Sequence, residues 1–376
     1  MSSESIAAAV KESFAAKRPV RIAAAGGWLD AGRPVRAEQR LSLREESGVR
    51  AYVPADLTIT VGAGASLSEI QAETRANNQW LPLDPYGSSD GSIGATIATA
   101  SAGPLSSSFG LPRDLVLGLE FVNGRGEIVR AGGKVVKNVA GFDLSRLLTG
   151  SWGSLGVITE VTLRLYALPE ADRSFAINLG DSEKQMTAFL RAMIAAPLNP
   201  YALMLVSASI ARKLGLGEEA VGLIRLGGNS ASVKAQAAGL AQIANIHEID
   251  STTWSTLRQL DDGAHTSLRI SSLPQRIVTA AARILSDDVD GVLTSIDPRR
   301  GVIRIVAGPT GSGDSSQELA SGIERTDSSE LVFEKLPAEL WASVSPSVVA
   351  DPLSQGIKRA YDPHNILNPG ILGDLN

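Results

Sequence analysis

Three stretches rich in small residues are the parts of this sequence best suited to binding chemistry. They cover residues 24–27, 93–104 and 150–157, and the second stretch also carries three hydroxyl side chains. Where side chains are this small, successive backbone N–H groups lie open, so a turn can bind an anion without a lysine. Each stretch alone is typical of an ordinary tight loop. Three of them within the first 170 residues indicate a long ligand held mainly by backbone groups.

The familiar phosphate-binding and nucleophile motifs are incomplete. Residues 62–64 read Gly-Ala-Gly, but Leu67 stands where a dinucleotide-binding fingerprint needs its third glycine. Lys134 is followed by Val135 rather than Ser or Thr, which excludes a P-loop. Residues 87–91 spell a nucleophile elbow, but they follow a Pro-rich segment and have no histidine partner. A hydrolase is therefore not predicted.

Cysteine and histidine are scarce enough to exclude whole classes of chemistry. The chain has no cysteine, so it cannot form disulfides, ligate iron–sulfur clusters or tether a cofactor through sulfur. Its three histidines, His247, His265 and His364, all lie beyond residue 246. We interpret His247 and His265 as ordinary polar residues, and we predict no metal site.

Charge and hydropathy exclude further partners. The net charge is −5 and the pI is about 5.4, whereas nucleic-acid binders carry a basic excess. No run of 18 apolar residues is present, so no membrane span is predicted. The N-terminus lacks the basic start and apolar stretch of a secretory signal, which favours a cytoplasmic location.

The elements that must position the small-residue stretches follow from periodicity. Residues 4–17 predict an amphipathic helix, and residues 19–22 predict a short strand that runs into the first stretch. Residues 57–61 alternate as a strand, and Ser66 with Glu69 predicts a capping box that opens a helix.

The central part of the first domain combines a loop-rich segment with further strands. Residues 82–112 contain five Gly, four Pro and seven Ser, a composition typical of a functional loop. Asn123-Gly124 predicts a hairpin between strands at 115–122 and 127–130. Asp143 predicts the start of a short helix, and a strand follows at 157–165.

Beyond residue 174 the pattern changes. Strand-like and helical runs alternate up to about residue 335, which predicts an antiparallel sheet backed by helices, a separate α+β domain. The segment 361–370 is rich in turn residues, and we expect it to dock on another part of the chain.

The order of these loops resembles the FAD-binding domain of the vanillyl-alcohol oxidase and p-cresol methylhydroxylase superfamily. The resemblance covers residues 18–168 and, independently, the Asp-Pro…Asn-Pro-Gly tail at 362–370. It implies an α+β fold: a PCMH-type two-subdomain FAD-binding domain at 1–172, an α+β cap domain at 173–345, and a C-terminal segment at 346–376 that docks back on the FAD domain.

The resemblance also implies the cofactor and its binding residues. FAD would be bound non-covalently, since the usual histidyl and cysteinyl tethers are missing from residues 1–246. The first turn would hold the pyrophosphate, with alanines at two positions where the family prefers glycine. The implied FAD-binding residues are Ala24, Ala25, Gly26, Gly27, Trp28, Pro85, Ile93, Gly94, Thr96, Thr99, Ser101, Gly103, Gly110, Arg113, Asp114, Lys137, Gly153, Gly156 and Val157.

Within the superfamily, residues 136–144 and 148–153 most resemble the FAD-binding subunits of bacterial glycolate oxidases. That likeness implies a larger flavoprotein subunit and an iron–sulfur subunit as partners, and a small 2-hydroxyacid as substrate. It also implies a cytoplasmic protein that can reach the inner membrane peripherally through those partners. The second domain and residues 365–370 are then expected to form part of the partner surface.

The catalytic groups stay open at this point. Arg113 and Lys137 are candidates for a cation near flavin N1 and C2=O, and we nominate no general base. Related 2-hydroxyacid dehydrogenases carry a histidine-rich motif in the second domain, which two lone histidines cannot supply. Three alternatives follow: a flavin subunit of a glycolate or other 2-hydroxyacid dehydrogenase complex, a self-sufficient FAD-dependent alcohol or sugar oxidase, or a scaffold that FAD stabilises.

Overall fold

The chain divides into two compact units in a computed structural model that describes residues 2–88, 90–133, 142–179, 182–286, 289, 291–308, 330–344 and 351–373. The first unit takes in residues 1–103, 110–168 and 338–376. The second takes in residues 104–109 and 169–337. Each unit has its own sheets, helices and apolar core.

The described residues form twelve helices, two of which are single turns. They are α1 (Ser3–Ala16), α2 (Leu67–Arg75), α3 (Ile93–Thr99), α4 (Ser106–Phe109), α5 (Pro112–Leu115), α6 (Leu144–Leu148), α7 (Glu183–Ala195), α8 (Ala208–Lys213), α9 (Ser230–Ile243), α10 (Thr252–Gln259), α11 (Pro274–Ser286) and α12 (Pro352–Tyr361). Short 3-10 turns cover Pro54–Asp56 and Ala338–Ser343. None of the helices described here is long and apolar enough to cross a membrane.

The strands are short in the first unit and longer in the second. They are β1 (Val20–Ala23), β2 (Gln39–Ser42), β3 (Val49–Val53), β4 (Thr58–Gly62), β5 (Gln79–Trp80), β6 (Val116–Val122), β7 (Ile128–Gly132), β8 (Val157–Arg164), β9 (Tyr166–Ala167), β10 (Ala171–Asn178), β11 (Ala202–Val206), β12 (Val221–Gly228), β13 (Ile246–Ile249), β14 (Thr266–Ser271), β15 (Val292–Asp297), β16 (Val302–Ala307) and β17 (Glu330–Lys335).

The first unit is built on a five-stranded antiparallel sheet in the order β3-β4-β8-β6-β7. Two smaller pairs accompany it, β1 with β2 in parallel and β5 with β9 antiparallel. Alternate residues of the central strands, among them Ile59, Phe121 and Val161, are fully buried and pack in one apolar core with α2 and α3. The predicted strands at 57–61, 115–122 and 157–165 are therefore confirmed to within a residue or two.

Local sequence signals set several boundaries of this unit. Ser66 and Glu69 form the predicted capping box: the Ser66 Oγ accepts from the Glu69 amide at 3.1 Å, and the Glu69 carboxylate accepts from the Ser66 amide at 2.8 Å. The predicted hairpin is also present between β6 and β7. Asn123 closes it, because its Oδ1 accepts from the amides of Arg125 and Glu127.

The expectation of an open small-residue surface at 93–104 is wrong for its first half, which forms α3. The first two amides of α3 are used inside the protein, since Ile93 donates to the Ala65 carbonyl and Gly94 to the Ala63 carbonyl, both at 2.8 Å. A Cβ at Gly94 would lie 2.7 Å from the Cβ of Ala63. The small residue is needed here for close packing.

The second unit confirms the prediction of an antiparallel sheet with helices. Its eight strands run in the order β13-β10-β12-β11-β15-β16-β14-β17, and every pair is antiparallel. Neighbouring residues of β11 point to opposite faces, so Leu205 packs in the core with α7 and α11 while Met204 packs with α8 and α10. The helices therefore cover both faces of the sheet.

A buried ion pair holds the C-terminal tail in the first unit. The Lys358 Nζ donates to the Asp362 carboxylate at 2.6 Å, to the Ser154 carbonyl at 2.7 Å and to the Leu367 carbonyl at 3.4 Å. Asp362 in turn accepts from the amides of Ile366 and Leu367. Burial lowers the pKa of Lys358, and the neighbouring carboxylate opposes that shift. All charges and donors of the pair are thus matched within the protein.

The tail then extends alongside β1. The Val20 amide donates to the Ile366 carbonyl at 2.8 Å, and the Asn368 amide donates to the Val20 carbonyl at 3.1 Å. The Asn368 side chain accepts from the Ile22 amide and donates to the Trp152 carbonyl, each at 2.8 Å. Strand β1 is therefore held on both edges, by β2 and by the tail.

This arrangement corrects one expectation about the tail. Residues 366–369 are buried in the first unit, and Ile366 and Leu367 have no exposed surface. Residues 366–369 therefore cannot form part of a surface that a partner protein contacts, because they are buried within the first unit.

We expect Lys358→Met to destabilise the protein by about 3–5 kcal/mol, because the variant leaves the Asp362 carboxylate buried without its counter-charge. Chemical denaturation gives the free energy of unfolding. Arg146→Met is the matched control, since it breaks an exposed ion pair with Asp143 and should cost less than about 1 kcal/mol. Equal decreases in the free energy of unfolding of the two variants would show that the buried ion pair stabilises the protein no more than the exposed one.

Candidate functional site

The turn that follows β1 has backbone N–H groups that find no hydrogen-bond acceptor among the described residues. It covers residues 24–28, and Gly26 adopts a φ of +96°, which side chains rarely tolerate. The turn closes through a 3.1 Å bond from the Leu29 amide to the Gly26 carbonyl. The amides of residues 25–27 donate to no group in the described part of the chain. They are free to bind an anion.

A partly open cavity adjoins this turn. Most of its wall comes from small and apolar residues of β1, α3 and the loop before β8. The lining residues are Arg21, Ile22, Ala23, Ala24, Gly26, Trp28, Leu29, Leu43, Ala63, Gly94, Ala95, Ala98, Thr99, Trp152, Gly153, Gly156, Ile158, Asn368 and Ile371.

The third small-residue stretch forms one wall of the cavity, but several of its N–H groups donate hydrogen bonds to other backbone groups of the protein. The amides of Gly150 and Trp152 donate to the carbonyls of Ile97 and Ala98 at 3.0 and 2.8 Å, which caps the C-terminal end of α3. At Gly156 a Cβ would lie 2.6 Å from the ring of Phe121. Of the three predicted anion-binding stretches, the first therefore has the clearest set of free donors in the described residues.

Two tryptophans meet beside the turn. Trp28 and Trp152 contact each other edge to face, with ring centroids 6.0 Å apart, and both line the cavity. Trp152 holds a φ of +54°, a conformation that costs energy for a large residue. The capping bond to α3 and the bond from Asn368 fix it there.

The structure brings seven of the predicted site residues together at this cavity. They are Ala24, Gly26, Trp28, Gly94, Thr99, Gly153 and Gly156. Ala25 and Gly27 lie in the same turn and are exposed, although they do not line the cavity.

The remaining predicted residues lie elsewhere in the first unit, and several have structural roles. Ile93 and Val157 are fully buried in apolar cores. Thr96 bonds back to the Ser92 carbonyl at 3.1 Å, inside α3. The Ser101 hydroxyl accepts from the Tyr86 amide at 3.2 Å. For these residues a contact with FAD stays a prediction.

The same holds for a second group. Gly103 packs so closely that a Cβ would lie on the Asp84 carbonyl, and Asp114 accepts from the Leu111 amide at 2.9 Å. Pro85, Gly110 and Arg113 do not line the cavity. Lys137 lies outside the described residues.

Sequence reasoning missed Arg21, the charged residue of the cavity wall. Its Nη2 donates to the carbonyls of Trp28 and Leu29 at 3.4 and 3.2 Å, so its guanidinium lies against the turn. A single charge within the apolar strand Val20-Arg21-Ile22 was the available signal. Asn368 belongs to the tail motif at 362–370, and no local pattern in the sequence indicates that it reaches the cavity.

Two further observations limit the chemistry. Among the described residues, no group of three or more His, Cys, Asp or Glu side chains is arranged to hold a metal ion. His247, His265 and His364 are all exposed, and none of them lines the cavity. Free amides, small walls and one guanidinium instead fit a long anionic cofactor such as FAD.

Comparison with known proteins agrees with FAD as the ligand of this cavity. The FAD binding domain family matches residues 1–132, which include the turn and α3. The chain is 38% identical over 174 residues to glycolate oxidase subunit GlcE of Escherichia coli (strain K12), a match that covers 46% of this chain and 49% of that protein. It is 28% identical over 357 residues to glycolate oxidase subunit GlcD of Bacillus subtilis (strain 168), covering 84% of this chain and 75% of that protein. The GlcE match thus spans about half of that subunit's length.

Solved structures share the fold over almost the whole chain. A structure of p-cresol methylhydroxylase with substrate bound aligns with a TM-score of 0.75 at 17% identity, covering 99% of this chain and 87% of that one. The 4-ethylphenol oxidase of Gulosibacter chungangensis aligns with a TM-score of 0.74 at 16% identity, covering 99% and 88%. Taken with the match to the FAD binding domain family, this likeness shows that the chain has a PCMH-type FAD-binding fold and that FAD is its cofactor.

Proposed function

We propose that the chain is the FAD-binding subunit of a glycolate (2-hydroxyacid) dehydrogenase complex, in which electrons from the flavin leave through partner subunits. The observation that carries this proposal is the 38% identity to GlcE. The similarity to GlcD, a second subunit of a glycolate oxidase by name, supports the same substrate class. A larger flavoprotein subunit and an iron–sulfur subunit are the proposed partners.

Different residues at the cavity would have different roles in binding the cofactor. The free amides of residues 25–27 would bind the pyrophosphate, and the small residues Gly94, Gly153 and Gly156 would let the cofactor approach the backbone. Trp28 and Trp152 would exclude water from one side. When bound, FAD would supply a hydride acceptor, so that a 2-hydroxyacid becomes a 2-oxoacid by losing a hydride from its carbon and a proton from its hydroxyl group.

The absence of cysteine from the chain supports dependence on a partner. Electrons on a reduced flavin must pass to an acceptor, and this sequence cannot ligate an iron–sulfur cluster. The exposed histidines, none at the cavity, offer no evident base for the substrate hydroxyl. A partner would then supply the acceptor and the missing catalytic groups. A cytoplasmic location, with contact to the inner membrane only through these subunits, is part of the proposal.

The purified chain should contain FAD and turn over glycolate at less than about 1 s⁻¹, the low end of ordinary enzyme rates. Co-expression with the larger flavoprotein and the iron–sulfur subunit should give a stable complex that reduces an artificial dye. The partner subunits expressed without this chain serve as the control. Rapid turnover by the lone chain would instead identify a self-sufficient oxidase, and full activity of the partners alone would identify a scaffold.

We expect Gly26→Val to weaken FAD binding about tenfold or more, because a β-branched residue at positive φ must distort the turn. The ratio of flavin to protein absorbance after purification measures the loss, and circular dichroism checks the fold. Gly215→Val is a matched control: its φ is +69°, no atom lies within 4 Å of its Cβ, and it lies in the second unit. Normal flavin content in Gly26→Val would show that the turn does not bind FAD.

The flavin should be released completely when the protein is denatured by acid or heat, since residues 1–246 contain neither histidine nor cysteine. Absorbance at the flavin band in the supernatant, compared with the precipitate, tests this. Colour that stays with the washed precipitate would contradict non-covalent binding.

A further inference from the structure

Arg21 is the only charged residue among those that line the cavity in the described part of the chain. One nitrogen of its guanidinium group lacks a hydrogen-bond acceptor. Nη2 donates to the carbonyls of Trp28 and Leu29, but Nη1 is shielded from solvent and has no hydrogen-bond partner among the described residues. A buried donor without a partner costs free energy, and such groups are rare in folded proteins.

A second arginine adds to this cost. Burial lowers the pKa of Arg21, and the nearby charge of Arg40 lowers it further. The Nη2 of Arg40 lies 3.7 Å from the position that a Cβ would take at Gly26, so Arg40 also borders the turn. Neither arginine forms an ion pair with a carboxylate in the residues that the structure describes. The half-buried Arg21 and the exposed Arg40 therefore both lie beside the free amides without an ion pair among the described residues.

We propose that Arg21 binds the diphosphate of FAD and supplies the positive charge that the amides of residues 25–27 lack. The inference rests on FAD as the cofactor and on the turn as the site of its diphosphate. The Nη1 group, which has no protein partner, would donate a charge-assisted hydrogen bond to a phosphate oxygen, and the guanidinium stays charged at any physiological pH. The bound diphosphate relieves the repulsion between Arg21 and Arg40.

The position of Arg21 gives it a second effect. Because Nη2 holds the carbonyls of Trp28 and Leu29, the same side chain shapes the turn and contacts the anion. A loss of FAD affinity alone would not separate these two effects. Ligands with and without the diphosphate do separate them, since a misshapen cavity weakens both ligands and a missing charge weakens only one.

The test compares Arg21→Gln, Arg21→Lys and the wild-type chain, each stripped of flavin. Dissociation constants for FAD and riboflavin come from quenching of flavin fluorescence, and ADP and adenosine are measured as competitors against FAD. Arg125→Gln is the control for net charge, because Arg125 is exposed in the loop between β6 and β7. Circular dichroism and thermal melting report whether each variant folds.

Arg21→Gln should lower the preference for FAD over riboflavin, and for ADP over adenosine, by roughly ten- to a hundredfold, the range of one charge-assisted contact. Arg21→Lys should recover part of that preference, and Arg125→Gln should keep all of it. A preference within about threefold of wild type in a folded Arg21→Gln overturns the proposal. Loss of FAD and riboflavin binding in equal measure also overturns it and leaves Arg21 a purely structural role. Turnover is not measured, so the outcome is independent of the glycolate complex.

Discussion

The cofactor site depends on the hydrogen bonds between β1 and the C-terminal tail. Strand β1 has four residues and one strand partner, β2, and so small a pair is not stable alone. The tail supplies the second edge through Val20, Ile22 and Asn368. The buried pair of Lys358 and Asp362 fixes the tail in turn. The turn that begins at residue 24 is thus positioned by groups more than three hundred residues later in the chain.

This construction leaves the site with an electrostatic imbalance that an anion corrects. Among the described residues, the amides of residues 25–27 have no acceptor, and Arg21 and Arg40 form no ion pair. Two other buried charges of the first unit are matched within the protein: Lys358 has three acceptors, and Glu120 binds Arg130 and Thr159. The contrast indicates that the turn is completed by its cofactor. A ligand that binds only the folded state also stabilises that state.

Features that depend on neighbouring residues could be predicted from the sequence. The capping box at Ser66, the hairpin at Asn123 and the alternating strand at 57–61 each follow from a pattern of a few residues. The antiparallel sheet of the second unit followed from the rhythm of strands and helices. The turn after β1 can also be predicted, because its run of small residues is itself a local signal.

Features that depend on contacts between distant residues could not be predicted. The amides at the start of α3 are bonded to Ala63 and Ala65, which no spacing within 93–104 reveals. Asn368 and Ile371 reach the cavity only because the tail folds back beside β1. One buried partner of Lys358, the Ser154 carbonyl, likewise comes from a distant part of the chain. Arg21 looked like one charge in a short strand, and its role follows from the turn that wraps over it.

A crystal structure of the chain with FAD bound tests the central claim most directly, because it locates the diphosphate. The account predicts phosphate oxygens within about 3 Å of the amides of residues 25–27, with the Arg21 guanidinium in contact with the same group. It also predicts that residues 366–368 keep their bonds to β1. A diphosphate bound elsewhere in the first unit, with the turn empty, would contradict the account.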